Sequence, residues 1–186
     1  MAYFKSLNHS VFSLILLFGI LLAAPVNQQY SMSVPAINKQ IPKIDMKQLA
    51  CVAKNIFYEA GSESTLGQAA VARVVMNRVA HGFAKTPCGV VFQTTMVERE
   101  DEDGEPIMKK LCQFSWVCEG KDEPSINNIK YIQATQIAYA VLVFDAYKEV
   151  VPKTTLFFHN LTVNPNWPYK RVAQIDNHVF YSKGKE

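Results

Sequence analysis

Apolar residues recur at intervals of three and four along residues 46–60, which predicts an amphipathic α-helix with one buried face. Asp45 precedes this stretch as a candidate N-cap, and Gly61 follows it as a candidate C′ residue. The predicted apolar face consists of Leu49, Val52, Ala53, Ile56, Phe57 and Ala60. The last turn of this core helix therefore carries the carboxyl group of Glu59.

Two further stretches predict core helices. Ser64 or Thr65 is the candidate N-cap of the second helix, and alanine and valine residues cover most of the faces of this helix, which is typical of a central helix. Its polar residues must be paired, since an unpaired buried polar group costs about 1–3 kcal/mol. These residues are Gln68, Arg73, Asn77 and Arg78. The third helix is predicted from Asn127 to Tyr147.

The pattern changes after Pro152, where residues 156–160 and 171–181 predict two or three short strands. Earlier in the chain, the charged segment Glu98–Lys110 predicts a solvated excursion, with a hairpin tip about Asp103-Gly104. Helices that precede a small antiparallel β region near the C-terminus indicate the α+β fold class.

The N-terminus has the pattern of an export signal. Val11–Ala24 is an uncharged apolar run, shorter than the roughly 18 residues that a spanning helix usually needs. We therefore predict a signal peptide over residues 1–24, with an uncleaved membrane leader as the alternative because Pro25 is unfavourable after a cleavage point. Residues 25–44 predict a flexible linker, and residues 45–186 one folded domain, exported to the periplasm, cell wall or outside.

Charge argues against nucleic acid as a partner. The chain has 19 basic and 16 acidic residues, a net charge of +3, and loss of the leader removes one lysine. The remaining charge slightly favours an anionic polymer such as a bacterial wall, but it is far from the basic patches that nucleic-acid binding requires.

The four cysteines form an even set, which predicts two disulfides in an exported chain. Of the three possible pairings, we favour Cys88 with Cys112 and Cys51 with Cys118, because the second bond would tie the first helix to the segment around Trp116. No CxxC or CxxH spacing occurs, so a zinc site built from these thiols is not predicted.

Glu59 and Glu63 are the candidate catalytic residues. The apolar neighbours of Glu59 predict partial burial, which disfavours the charged carboxylate and leaves the protonated form that a general acid needs. Glu63 follows just past the helix end, so the two carboxylates are expected to be close neighbours. Glycosidic bond cleavage uses such groups. No convincing aspartate partner is found elsewhere, so a mechanism with a single acid stays open. The alternative that Glu59 and Glu63 only form a polar face without a catalytic role also stays open.

Aromatic and amide residues supply candidates for a sugar groove. Gln113, Phe114 and Trp116 predict either a core strand or a surface that stacks on sugar rings and bonds their hydroxyls. Trp167 lies between two prolines and predicts an exposed ring. His159 and His178 fall in the two late strand segments and could face each other, but no third ligand and no HExxH spacing accompany them, so no metal is predicted.

Five blocks in order carry a resemblance to a known family: NIFYEAGSE, GQAAVARVVMNRV, PCGVVFQ, CQFSW, and FFHN with NPNW and IDNHVFY. Over about residues 47–182 the chain resembles the SleB-type cell-wall hydrolases. This resemblance implies a lysozyme-like fold of the lytic transglycosylase type, with Glu59 as catalytic acid and Glu63 at the family's following acidic position. Two departures are an arginine missing between the glutamates and Asp176 in place of a glycine.

The resulting hypothesis is an enzyme that cleaves peptidoglycan glycan strands between N-acetylmuramic acid and N-acetylglucosamine. The residues expected to bind this substrate are Gln68, Asn77, Gln113, Phe114, Trp116, His159 and Trp167. No cofactor is implied, and membrane contact is expected only through an uncleaved leader. A zinc-dependent N-acetylmuramoyl-L-alanine amidase and a non-catalytic wall-binding or virion structural protein stay open as alternatives.

Overall fold

The computed structural model describes residues 43–184; the predicted leader and nearly all of the predicted linker lie outside this range. The described chain is α+β, as predicted. Its helices are α1 Met46–Ala60, α2 Thr65–Ala80, α3 Pro87–Val91, α4 Ser115–Cys118 and α5 Ile129–Phe144. Its strands are β1 Thr94–Glu100, β2 Pro106–Cys112, β3 Thr155–Asn160, β4 Lys170–Ile175 and β5 His178–Ser182. None of the described helices is long and apolar enough to cross a bilayer.

Helix α1 has the predicted limits and the predicted N-cap. The Asp45 carboxylate accepts a hydrogen bond from the amide of Lys47 at 2.9 Å, which satisfies a free donor of the first turn. Gly61 follows the helix, but its φ of −64° is right-handed and differs from the left-handed conformation expected of a C′ glycine. A Cβ atom at this position would lie 2.4 Å from the carbonyl oxygen of Phe57. Glycine is therefore needed here for space.

Helix α2 is the central element, as its all-round apolar pattern predicts. Its residues from Gly67 to Val75 are buried, and the Ser64 hydroxyl caps its N-terminus by accepting from the Gly67 amide at 3.2 Å. The long polar side chains of Arg73, Asn77 and Arg78 each donate to backbone carbonyls between residues 146 and 156. These bonds satisfy the buried donors and attach α2 to the chain that enters the C-terminal sheet.

The main hydrophobic core lies where α1, α2, α3 and α5 meet. Val52, Ala53 and Ile56 on α1 have no exposed surface and pack among buried residues of the other helices. Burial of a side chain such as Ile56 contributes about 1.5–3 kcal/mol. A second cluster joins α2 to the sheet through Val71, Val74 and Phe180. Helix α1 thus ends at the boundary between the helical core and the sheet.

Two antiparallel sheets complete the fold. Strands β1 and β2 form a solvated ribbon whose turn spans residues 101–105, which confirms the predicted hairpin in the charged segment. The C-terminal sheet has the order β3-β5-β4, so the last strand is central. Strands β4 and β5 are joined by a tight turn at Asp176 and Asn177, which faces the loop between α1 and α2.

Two disulfides are present, but the predicted pairing is wrong. The bonds are Cys51–Cys88 and Cys112–Cys118. Cys51 lies on the face of α1 that packs against α3, where Cys88 is located, and their Cα atoms are 5.2 Å apart. Cys118 ends α4, which folds back beside the end of β2, so its nearest partner is only six residues away.

The segment 113–118 does not form the core strand that is one of the two alternatives predicted for it. Strand β2 ends at Cys112, and Ser115–Cys118 forms one helical turn. The Cys112–Cys118 bond closes this turn against the ribbon. Trp116 is thereby directed into the protein, next to the C-terminal half of α1.

Candidate active site

Glu59 lies in the last turn of α1, half-buried, on the wall of a cleft of ≈ 380 Å³. The volume is within the range of small-molecule sites. One wall comes from α1 and from the α4 region, and the other comes from the C-terminal sheet. The residues that line the cleft are Tyr58, Glu59, Ser115, Trp116, Glu119, Lys121, Phe158, His159, Asn160 and His178.

Burial changes the acidity of Glu59. Removal from water raises the pKa of its carboxyl from 4.5 to about 7, because the charged form is desolvated. The positive charge of Arg78 opposes this rise, whereas the negative charge of Glu119 adds to it. Glu59 makes no hydrogen bond to any other described residue that would stabilise the carboxylate. Its environment thus raises the pKa of Glu59 in the direction expected from the sequence.

Arg78 is a buried cation whose charge acts on Glu59. Burial lowers the pKa of its guanidinium to about 10, against the opposing attraction of Glu59, so the group stays positively charged at neutral pH. Its Nε donates to the carbonyl of Leu156 at 2.8 Å, and its guanidinium carbon lies 5.1 Å from the centre of the Phe114 ring. The Gln113 amide, with its oxygen turned to Arg78, accepts from both terminal nitrogens at 3.1 and 3.3 Å. Arg78 is therefore held in one place.

Glu63 binds the turn of the C-terminal sheet. Its carboxylate accepts from the backbone amide of Asn177 at 3.2 Å and from the Asn177 side chain at 3.1 Å. Next to it, the Asp176 carboxylate accepts from the amide and hydroxyl of Ser64 at 2.9 and 2.6 Å. These four bonds fasten the α1–α2 loop, directly after Glu59, to the β4–β5 turn.

Aromatic rings form the wall of the cleft on the helical side. Trp116 stacks on Tyr58 with ring centres 4.8 Å apart, and its indole nitrogen donates to the Asn55 side chain at 3.2 Å. The Tyr58 hydroxyl in turn donates to the carbonyl of Asp122. Trp116 is only 7% exposed, so it supports the core and contributes only a small part of its surface to the cleft.

The sheet side of the cleft carries two histidines. His159 contacts the Tyr181 hydroxyl through Nε2 at 2.9 Å and its ring packs edge-on against Trp167. His178 is buried, burial lowers its pKa, and its Nδ1 has no hydrogen-bond partner among the described residues. The two rings lie on neighbouring strands and share the cleft, but no hydrogen bond joins them. Within residues 43–184, no group of three or more potential ligands could hold a metal ion.

Comparison with known proteins identifies the family. A family model described as Cell Wall Hydrolase matches residues 62–181, well over half of the chain. The chain belongs to the cell wall hydrolase family. It is an enzyme that acts on the peptidoglycan of the wall. The matched region includes Glu63 and begins three residues after Glu59.

The fold of this cell wall hydrolase is that of the SleB catalytic domain. The crystal structure of the catalytic domain of the Bacillus cereus SleB protein is similar, with a TM-score of 0.51 and 18% sequence identity. The similarity covers 76% of this chain and 94% of that chain. No curated protein sequence gave a match. The resemblance read from the sequence blocks is therefore confirmed at the level of family and fold.

The structure also accounts for one departure of this cell wall hydrolase from the family pattern. Asp176 has a φ of +48°, in the left-handed region that glycine occupies most readily. Aspartate tolerates this conformation better than most residues. Its carboxylate, in addition, bonds Ser64, a contact that a glycine could not make. No arginine lies between Glu59 and Glu63, and Arg78 is the nearby cation that acts on Glu59.

The predicted site residues of the cell wall hydrolase are only partly brought together. Glu59, Trp116 and His159 line the cleft. Phe114 is buried and Gln113 contacts Arg78, and neither lines the cleft. Trp167 is partly buried and not exposed as predicted, because its ring packs against those of His159 and Tyr181. Gln68 has no exposed surface, with its amide donating to the Glu63 carbonyl, and the Asn77 amide donates to two backbone carbonyls. These contacts are structural, and substrate binding by Gln68 and Asn77 stays a prediction without support from the geometry.

Other residues of the cleft carry no functional signal in the sequence. Glu119 and Lys121 fall in a polar stretch after Cys118 for which the sequence predicts no chemistry, and Asn160 only ends the predicted strand 156–160. For Arg78, the sequence indicates only a buried polar residue that needs a partner. The cysteines on either side of Trp116 could have suggested that the segment after Cys118 returns to the site. The periodicity of the chain gives no other signal for these residues.

Proposed function

We propose that this cell wall hydrolase cleaves the bond between N-acetylmuramic acid and N-acetylglucosamine in glycan strands, with Glu59 as the general acid and then the base. The observation that carries this proposal is a half-buried carboxyl with a pKa of about 7 on the wall of a cleft. A general acid is most effective when its pKa is near the working pH, because it is then both protonated and able to release its proton.

The reaction begins with proton transfer from Glu59 to the oxygen that joins the two sugars. The bond between the muramic C1 and this oxygen breaks, the N-acetylglucosamine leaves as a neutral alcohol, and positive charge develops at C1 and the ring oxygen. Glu59 is left as a carboxylate. Its new negative charge faces the buried cation of Arg78, which is held by Leu156 and Gln113 and lies ready to stabilise it.

Glu59 then removes a proton from the attacking hydroxyl, which restores the acid for the next cycle. In a lytic transglycosylase the attacking group is the 6-hydroxyl of the same muramic acid, and the product is an anhydro sugar. In a muramidase the attacking group is water, and the product has a reducing end. Mass spectrometry of digested sacculi distinguishes these outcomes, because the anhydro product is lighter by one water.

Two features of the cleft suit a glycan. The stacked Tyr58–Trp116 pair lines the cleft and offers it an apolar surface for a sugar ring, and the opposite wall carries the polar groups of His159 and Asn160. Glu63 holds the loop after Glu59 in place through Asn177, so we assign it a positioning role. Export through the leader predicted for residues 1–24 would bring the enzyme to its substrate.

The test is digestion of purified peptidoglycan by the Glu59→Gln variant, which keeps the shape of the side chain but has no proton to transfer. We expect loss of soluble glycan products, with a folded protein by circular dichroism. A Glu149→Gln variant is the matched control, since Glu149 is exposed and outside the cleft. Full lysis by Glu59→Gln would remove Glu59 from the mechanism.

The same digestion addresses the two alternatives. Release of free amino termini without new glycan ends, together with loss of activity on chelation, would identify a zinc-dependent amidase. Binding to sacculi without any soluble product would identify a wall-binding protein. Either result would contradict glycan cleavage by Glu59.

A further inference from the structure

A second carboxylate, Glu119, shares the cleft with Glu59. Glu119 caps the C-terminus of α4, directly after the disulfide-bonded Cys118, and lines the same ≈ 380 Å³ volume as Glu59. The two residues are 60 positions apart in the sequence, and the cleft brings them together because α4 packs against α1 through Trp116. Glu63, the acidic residue nearest in sequence, does not line this cleft.

The Glu119 side chain is held in position by its neighbours. Its carboxylate pairs with the ammonium group of Lys121 at 3.1 Å and is hydrogen-bonded to Ser115, and both of these residues also line the cleft. About half of the Glu119 side chain is exposed to solvent. An exposed ion pair is weak, so the contact orients the carboxylate without blocking its approach to a ligand.

We propose that Glu119 is a second catalytic residue, whose ionised carboxylate faces the bound sugar and stabilises the positive charge that develops at the muramic C1. This inference rests on the proposed function. Glu119 gives and receives no proton and forms no covalent bond. The C1–oxygen bond breaks with proton donation from Glu59, and the Glu119 charge lowers the energy of the cationic transition state.

The environments of the two carboxyls support this division of roles. Bonds from Lys121 and Ser115 lower the pKa of Glu119, so it is ionised at neutral pH, while burial raises the pKa of Glu59. A pair of carboxyls whose environments separate their pKa values is the arrangement expected for an acid and an anion that act together. The negative charge of Glu119 itself contributes to the raised pKa of Glu59.

Several other charged or titratable groups surround this pair, and none replaces Glu119. Arg78 is a cation from α2 that lowers the pKa of Glu59. Lys121 is a cation that is paired with Glu119. The remaining titratable groups on the cleft are Tyr58, His159 and His178. Glu119 is therefore the one other carboxylate among the described residues that line the cleft.

The test uses the full chain with Glu119→Gln, and Glu149→Gln as the charge-matched control. Initial rates of glycan release from sacculi are measured at subsaturating substrate from about pH 5 to pH 9, a range that spans the protonated and ionised forms of Glu59. At the acid end, where Glu59 is protonated in both proteins, Glu119→Gln should reduce the rate roughly 100-fold. The alkaline limb of the profile should also move to lower pH, because the charge that helps to raise the pKa of Glu59 is gone. Glu119→Asp should recover part of the rate.

Three results would overturn the proposal. The first is a wild-type rate for Glu119→Gln at about pH 5, whether or not the alkaline limb moves. The Glu119 charge would then change only the pKa of Glu59 and would not stabilise the transition state. The second is a reduced rate for Glu119→Gln with the alkaline limb of its pH profile unchanged. That result would mean that the Glu119 charge does not act on Glu59. The third is a Glu119→Asp variant as slow as Glu119→Gln. If Glu59→Gln is inactive while Glu119→Gln is normal, only this inference fails. If Glu59→Gln is active, the proposed function fails.

Discussion

Replacement of Glu59 by glutamine should stabilise the fold while it abolishes activity. The folded domain holds this carboxyl partly away from water, and its pKa rises from 4.5 to about 7. Protonated Glu59 is thus favoured in the folded state, and the folded protein binds more protons than the unfolded chain between these two pH values. The free energy of unfolding therefore falls as the pH rises through this window, and it levels off above about pH 7.

The magnitude follows from the shift in pKa. Each pKa unit corresponds to about 1.4 kcal/mol, so ionisation of Glu59 in the folded state costs about 3 kcal/mol at about pH 8. Glutamine has a similar shape and no charge, and it resembles the protonated acid at every pH. We therefore expect Glu59→Gln to be about 3 kcal/mol more stable than wild type at about pH 8 and nearly equal to it at about pH 4.

Urea unfolding of both proteins at these two pH values measures the effect, with Glu149→Gln as the exposed control. A stabilisation of this size should also raise the thermal midpoint by roughly 6–12 °C at the higher pH. Equal stability of wild type and Glu59→Gln at about pH 8 would refute the reasoning, because it would mean that the Glu59 carboxylate is well solvated in the folded protein. The control should follow wild type at both pH values.

Three further outcomes are expected from the same structure. Wild-type lysis should fall as the pH rises and lose half of its rate near pH 7, where Glu59 ionises, and a constant rate from about pH 5 to pH 9 would contradict this. Glu63→Gln should cost about 1–2 kcal/mol in urea unfolding, since it weakens the bonds from Asn177, and should reduce lysis less than Glu59→Gln; unchanged stability would count against these bonds. Joint replacement of Cys112 and Cys118 by serine should cost about 2 kcal/mol, because the bond closes a loop of only six residues, and should slow lysis by loosening one wall of the cleft; lysis at the wild-type rate would show that the wall holds without it.

Local signals in the sequence determined the main elements of the fold. The limits of α1 follow from an unbroken apolar period and from Asp45, whose side chain caps a backbone amide two residues away. The start of α2 directly after its N-cap Ser64 and the hairpin turn near Gly104 follow from equally local chemistry. Such features depend on neighbouring residues along the chain, so the sequence is sufficient to predict them.

The raised pKa that the sequence predicts for Glu59 also has a local origin. The residue lies at the end of an apolar helix face, and this alone indicates partial burial. The size of the shift depends in addition on Arg78 and Glu119, which the sequence places 19 and 60 positions away. Their distance from Glu59 in space is set by the packing of α2 and α4 against α1, which periodicity does not specify.

Tertiary structure alone decided which distant residues meet. The sequence determined that four cysteines would form two disulfides, but the pairing depends on how α3 and α4 return to α1 and β2. The sequence likewise placed Glu63 beside Glu59 along the chain, whereas the fold turned Glu63 to the sheet and brought Glu119 to the cleft. The physical reason is that a turn of a few residues changes the direction of the whole chain that follows it. Only the packing of the complete core selects one of the possible directions.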